Sequence, residues 1–166
     1  MLYALLVTAL IVLDQVVKAL VRTNIPLYTA QPLLPGFLEL THVRNTGAAF
    51  SILSAHTWVL TLISAAVSLV LAAALIKRVV RHPFGLTALS LVLAGAVGNL
   101  IDRALQGYVT DMFNFQFMRF AVFNVADICV VTGGIATCVY LLFFYEKLEK
   151  RPLPGQEHDG STDADG

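Results

Sequence analysis

A single bundle of four membrane-spanning α-helices, an all-α membrane protein with a small β platform on its outer side, is the architecture the sequence predicts, and three observations carry it. The 166 residues are 57% hydrophobic and only 13% charged, with a mean hydropathy of +0.75, far from the balance of a soluble domain. Four apolar stretches reach or approach the length that crosses a hydrocarbon core of roughly 30 Å. The two links on one side of those stretches are long and rich in aromatic and β-branched residues, whereas the link on the other side is a short basic turn.

The first span, 2–21, lacks a basic leader, is long for the apolar part of a cleavable signal and carries Asp14 and Lys18, so it reads as a retained helix. The link that follows, 22–57, contains the loosely alternating "GFLELTHVR" and then "NTGAAFSIL". Spans two and three, 58–76 and 84–101, are joined by a turn holding Lys77, Arg78 and Arg81. The third ends in "GNLIDR", and the link 104–120 contains "GYVTDMFNFQF". Short strands from both long links are expected to form the platform. The fourth span, 121–145, opens with "AVFNVAD" and is followed by Lys147, Lys150 and Arg151. Residues 1–150 thus read as one membrane domain and 151–166, "RPLPGQEHDGSTDADG", as a disordered acidic tail. The basic turn and the basic residues after span four place both termini, the tail and that turn in the cytoplasm.

Four antiparallel spans bring the end of the first, the end of the third and the start of the fourth to one face of the membrane. That face collects the polar residues: Asp14 and Lys18, then Asn99, Asp102 and Arg103, then Asn124 and Asp127. With span four starting at 121, Asp127 lies roughly 9 Å below the helix start, in the outer leaflet. Ionisable residues there are expensive and point to function by default. Asp14 and Lys18 stand four apart and can pair along one helix face; Asp102 and Arg103 share a face with Asn99, and Arg103 can neutralise Asp102. Both sets read more readily as structural clasps than as chemistry. Asn45, followed by small residues in "NTGAAF", permits close backbone approach but also fits an ordinary turn.

Asp111 and Asp127 differ, because neither has a basic residue at helical spacing. Asn124 can hydrogen-bond beside Asp127 without neutralising it, and the intervening chain is long enough to fold back and bring the two carboxyls together. Like charges held close in a poorly solvated place share a proton and titrate as a unit, which suits acid and base roles in the attack of water on a carbonyl. Cys129, roughly 200° around the helix from Asp127, and Cys138 read as small packing residues that cannot bridge within one helix. Ser51 or Ser54 with His42, His56 or Lys18 offers a serine site, and Asp14, Asp102 and Asp127 offer a proton or ion relay, although the acids gather at one leaflet and not at the midplane. No His and Cys cluster implies a metal and no glycine-rich loop a nucleotide, so neither a cofactor nor a nucleic-acid partner is expected.

The ordered set "DQVVK", "NTGAAF", "GNLIDR", "VTDMF" and "FNVAD" resembles the motifs of the bacterial lipoprotein signal peptidases, or signal peptidase II. The resemblance implies an aspartic endopeptidase of the bacterial inner membrane, with its site at the periplasmic leaflet, that cuts diacylglyceryl-modified prolipoproteins just before the lipidated lipobox cysteine. It implies Asp111 and Asp127 as the catalytic dyad and Asp14, Lys18, Asn45, Asn99, Asp102, Arg103 and Asn124 as supporting or substrate-binding positions. The partners expected are the prolipoprotein and membrane lipid, with the enzyme a monomer. Met112 departs from the pattern, standing where the family commonly has Phe after the Asp.

Overall fold

A computed structural model describes residues 1–47 and 57–145. The helices are α1 (Leu2–Asn24), α2 (Thr57–Ile76), α3 (Pro83–Gln106) and α4 (Val125–Val139), the last running into a π-helical turn, Tyr140–Phe144. Counting α4 with that turn, four helices are long and apolar enough to cross a membrane. Strands β1 (Ala30–Leu34), β2 (Leu38–Asn45) and β3 (Val109–Phe115) form one antiparallel sheet in that order. The helical bundle and the small platform therefore both stand as expected. The acidic tail, Ser51, Ser54 and His56 lie outside the described residues.

Helix α3 is the hub: it packs against α1, α2 and α4 and is the most buried of the four. Its small residues permit this. A side chain at Gly95 would run into the Ala126 carbonyl, and a Cβ at Gly98 would come 2.7 Å from Asp14 Oδ2, so the backbones of α3 and α4 meet closely where α1 presents its carboxylate. Leu2, Leu5, Val12 and Leu20 on α1, with Leu62, Leu69 and Val70 on α2, face outward as a lipid-contacting surface would require.

Three boundaries differ from the sequence expectation. Hydropathy fades after Ile101, but backbone hydrogen bonding carries α3 on to Gln106, where Gly107 closes it in the left-handed conformation (φ 77°). Similarly α1 continues to Asn24. Span four starts later, at Val125, because Phe123 is drawn into an antiparallel bridge with Phe113 and Asn124 caps the helix. Asp127 is consequently in the first helical turn, about 3 Å from its start and not the roughly 9 Å inferred from a start at 121.

The sheet rests on the bundle through Met112, which is fully buried against Val21 and Ile25, with Val17, Leu40 and Phe113 around it. Met112 therefore anchors β3 to α1. Of the two cysteines, Cys129 is buried as expected of a packing residue, but Cys138 is exposed on the outer face of α4.

Candidate active site

The site is built from three helix ends and two strands. Asp14 and Lys18 come from the second half of α1, Asn99, Asp102 and Arg103 from the end of α3, and Asn124 and Asp127 from the start of α4. Asn45 ends β2 and Asp111 lies within β3. Antiparallel pairing sets Val43 opposite Asp111 and Asn45 opposite Val109, so Asn45 and Asp111 are diagonal neighbours on one sheet face. Beyond β3 the chain turns back through the Phe113–Phe123 bridge, delivering Asn124 and Asp127 beside Asp111.

One layer is ionic. Lys18 Nζ lies 2.9 Å from Asp14 Oδ2 and 3.2 Å from Asp102 Oδ2, with all three side chains sealed from solvent. Asp14 also accepts a 2.9 Å hydrogen bond from the Ala126 amide, one of the unpaired N–H groups at the α4 terminus. Asp102 accepts from the Thr110 amide at 3.0 Å and faces Arg22 at 3.8 Å, while Arg22 Nη1 donates to Thr110 Oγ1. Gln15 donates to Asp14, the Gly98 carbonyl and Asp102. The α1 acid and the α3 acid thus fix α4 and β3 respectively.

The expected Asp102–Arg103 clasp is not what forms. Asp102 turns inward to Lys18, and Arg103 reaches the other way, donating to Ser64 Oγ at 3.5 Å and to the Gly47 carbonyl at 3.4 Å. Consecutive helical residues diverge by about 100°, and α1 already supplies a cation on the Asp102 side. Gln15 and Arg22 were not picked out from the sequence. The signal was there for Arg22, which continues the four-residue spacing of Asp14 and Lys18 along one face of α1.

The second layer is neutral amide. Asn124 Nδ2 donates to Asp111 Oδ1 at 2.6 Å and Asn45 Nδ2 to Asp111 Oδ2 at 2.8 Å. Asn99 Nδ2 donates to Asp127 Oδ1 at 2.8 Å, and Asp127 Oδ2 accepts from the Asn124 backbone in a capping box whose return bond runs from the Asp127 amide to Asn124 Oδ1. Asn99 Oδ1 receives both Lys18 Nζ, at 2.9 Å, and Asn124 Nδ2, at 3.2 Å. Every oxygen of the two carboxyls is held, yet among the described residues none of the ion pairs includes Asp111 or Asp127. Burial of this corner, and after it the Asp127 carboxylate, push the Asp111 carboxyl up to about 6 from the ordinary 3.8, against the opposing pull of the Asn45 and Asn124 amides.

Both acids open onto a groove of about 410 Å³, whose other polar lining groups are Asn45, Asn99, Arg103 and Thr132. Its apolar lining includes Phe115, Phe120, Phe123, Ile128 and Val131. Two other candidates fall within the described residues. His42 is buried with its ring Nδ1 bonded to the Ile25 carbonyl at 2.9 Å, and Cys129 does not line the groove.

Residues 6–143 match the family model described as signal peptidase (SPase) II. The lipoprotein signal peptidase of Enterococcus faecalis is 45% identical over 140 residues, covering 84% of this chain and 87% of that protein. That of Clostridioides difficile is 39% identical over 147 residues, 89% and 99% respectively. Among solved structures, a bacterial membrane enzyme determined in meso at 2.3 Å superposes with a TM-score of 0.81 at 31% identity, covering 91% of this chain and 92% of the other. A second, at 1.9 Å, gives 0.78 at 33% identity over 86% and 93%. A multi-pass architecture, the ordered polar motifs and these likenesses agree, and the chain belongs to the signal peptidase II family, aspartic peptidases that cleave signal peptides from prolipoproteins.

Proposed function

We propose that Asp111 and Asp127 are the catalytic dyad of a peptidase that cuts diacylglyceryl-modified prolipoproteins just before the lipidated lipobox cysteine. The observation that carries this reading is a pair of carboxyls lining an apolar groove, each held by asparagine amides and, among the described residues, neither in an ion pair. Such a pair shares one proton. The ionised member takes a proton from water as the water oxygen bonds to the scissile carbonyl carbon, and the protonated member donates to the carbonyl oxygen. Collapse breaks the C–N bond, the cysteine nitrogen leaves as an amine with the proton returned by the dyad, and the signal peptide departs as a carboxylate. No covalent enzyme intermediate is required. Asn45, Asn99 and Asn124 hold the acids in register, while Asp14, Lys18 and Asp102 hold the elements that carry them.

The aromatic and aliphatic lining of the groove favours a lipid-bearing substrate, since each buried acyl CH₂ contributes about 0.8 kcal/mol. The basic turn between α2 and α3 lies at the opposite end of the helices from the site, which favours an outer-leaflet site with both termini cytoplasmic in a bacterial inner membrane. A monomer suffices for this chemistry, because one chain supplies both acids. The test is incubation of the purified protein with a synthetic prolipoprotein, with and without its diacylglyceryl group. The lipidated form should be shortened and the unlipidated form cut poorly or not at all. Absence of any shortened product rules out the reading, and equal turnover of the two forms removes the lipid from it.

A further inference from the structure

Asp111 is a shared wall between two cavities of different chemistry. On one side is the apolar groove. Adjoining it, and sharing Asn45, Asp111, Phe120, Ala121 and Val122 with it, is a pocket of about 420 Å³, within the usual range for ligand sites, lined also by Val43, Arg44, Thr46 and Arg119. Arg44 lies next to Asn45 at the end of β2, with its guanidinium 4.8 Å from the centre of the Tyr108 ring. Arg119 comes from the connection between β3 and α4. Among the described residues no ion pair occupies either guanidinium.

Resting on the reading given above, we propose that this pocket binds the first residues that follow the lipidated cysteine, and that Arg44 and Arg119 make it prefer acidic side chains there. The bond to be cut must lie at Asp111 and Asp127, so the substrate has to leave the dyad in two directions. Acyl chains and an apolar signal peptide gain by entering the groove lined by Phe115, Phe123 and Val131. The chain beyond the cleaved bond has to leave the bilayer for water, and the adjoining pocket, which adds Arg44, Thr46 and Arg119 to the shared wall, is the exit open to it. Two guanidiniums there attract carboxylates and repel an ammonium, which discriminates substrates by charge and not by shape.

Both arginines are exposed, so the preference is a modest one and is screened by salt. The test uses synthetic diacylated prolipoproteins identical except for Glu, Gln or Lys at the two positions after the cysteine, with kcat/KM measured for each. At low salt the Glu substrate should exceed the Lys substrate by about three- to tenfold, with Gln between them, and the ratio should shrink as salt is raised. In Arg44→Gln/Arg119→Gln the Glu-to-Lys ratio should fall towards one, and Arg119→Glu should lower it further. Because the ratio is taken within one enzyme, a general loss of folded protein does not move it. A ratio near one in the parent enzyme, or one unchanged in the double variant, overturns the pocket's assignment while leaving the peptidase reading intact. Failure of the parent to cut any of the three lipidated substrates overturns both.

Discussion

Two pairs of acids, all buried except the half-buried Asp127, stand side by side in this protein and are treated in opposite ways. Asp14 and Asp102 share the Lys18 ammonium and are locked further by the Ala126 and Thr110 amides. Among the described residues Asp111 and Asp127 receive only amide donors, and Lys18 is linked to Asp127 through the Asn99 side chain and to Asp111 through Asn99 and Asn124. An ion pair fixes the charge state of an acid as well as its position. An amide fixes position without fixing the charge state, and under the proposed mechanism this separates geometry from reactivity between the two layers.

The sharpest break in that contrast is removal of the exchangeable proton. Asp111→Asn and Asp127→Asn should each lower cleavage by on the order of 10³-fold or more in enzymes that still insert and fold, and the double variant should be scarcely worse than either single, since members of a catalytic unit are strongly non-additive. Substantial turnover by a well-folded Asp127→Asn enzyme refutes the division of labour between the layers. The paired layer should respond in stability. Asp102→Asn leaves Lys18 and the Thr110 amide with a weaker partner, and breaking a buried pair typically costs about 3 to 5 kcal/mol. Melting in detergent should fall sharply for this variant, whereas an unchanged melting temperature contradicts the sealed triad.

Acidity separates the layers at a smaller scale. The folded-state value of about 6 for Asp111 lies above its ordinary 3.8, so the folded chain binds that proton more tightly than the unfolded chain does. Stability from this group is therefore full below about pH 4 and declines as pH rises through 6, by at most about 3 kcal/mol. The melting-temperature difference between Asp111→Asn and the parent should shift in favour of the variant across that window, and a difference independent of pH shows that Asp111 is not held in a raised state. The smallest effect belongs to Asn124→Ala. Losing the cap of α4 costs about 1 kcal/mol, and losing a donor to Asp111 raises that carboxyl further, so the acid limb of the cleavage profile should move to higher pH.

The same contrast separates what was legible in the chain from what was not. Four spans, their antiparallel order, the gathering of polar residues at one face and short strands in both long links follow from hydropathy and β-propensity, which are sums over neighbouring residues and need no knowledge of the fold. The isolation of Asp111 and Asp127 from bases at helical spacing was equally local. Partner choice was not local. Whether Asp102 binds Arg103, its neighbour in sequence, or Lys18 from another helix is decided by which faces meet at about 3 Å, and the close approach of α1 to α3 at Gly98 brings Lys18 to it. The start of α4 at Val125 was likewise decided at a distance, by Phe113 drawing Phe123 into the sheet and by Asp14 meeting the Ala126 amide. Local composition determined what each segment is; only the packing of α1, α3 and β3 determined which carboxyls entered ion pairs and which were held by amides, because an electrostatic partner is chosen by distance in space and not by distance along the chain.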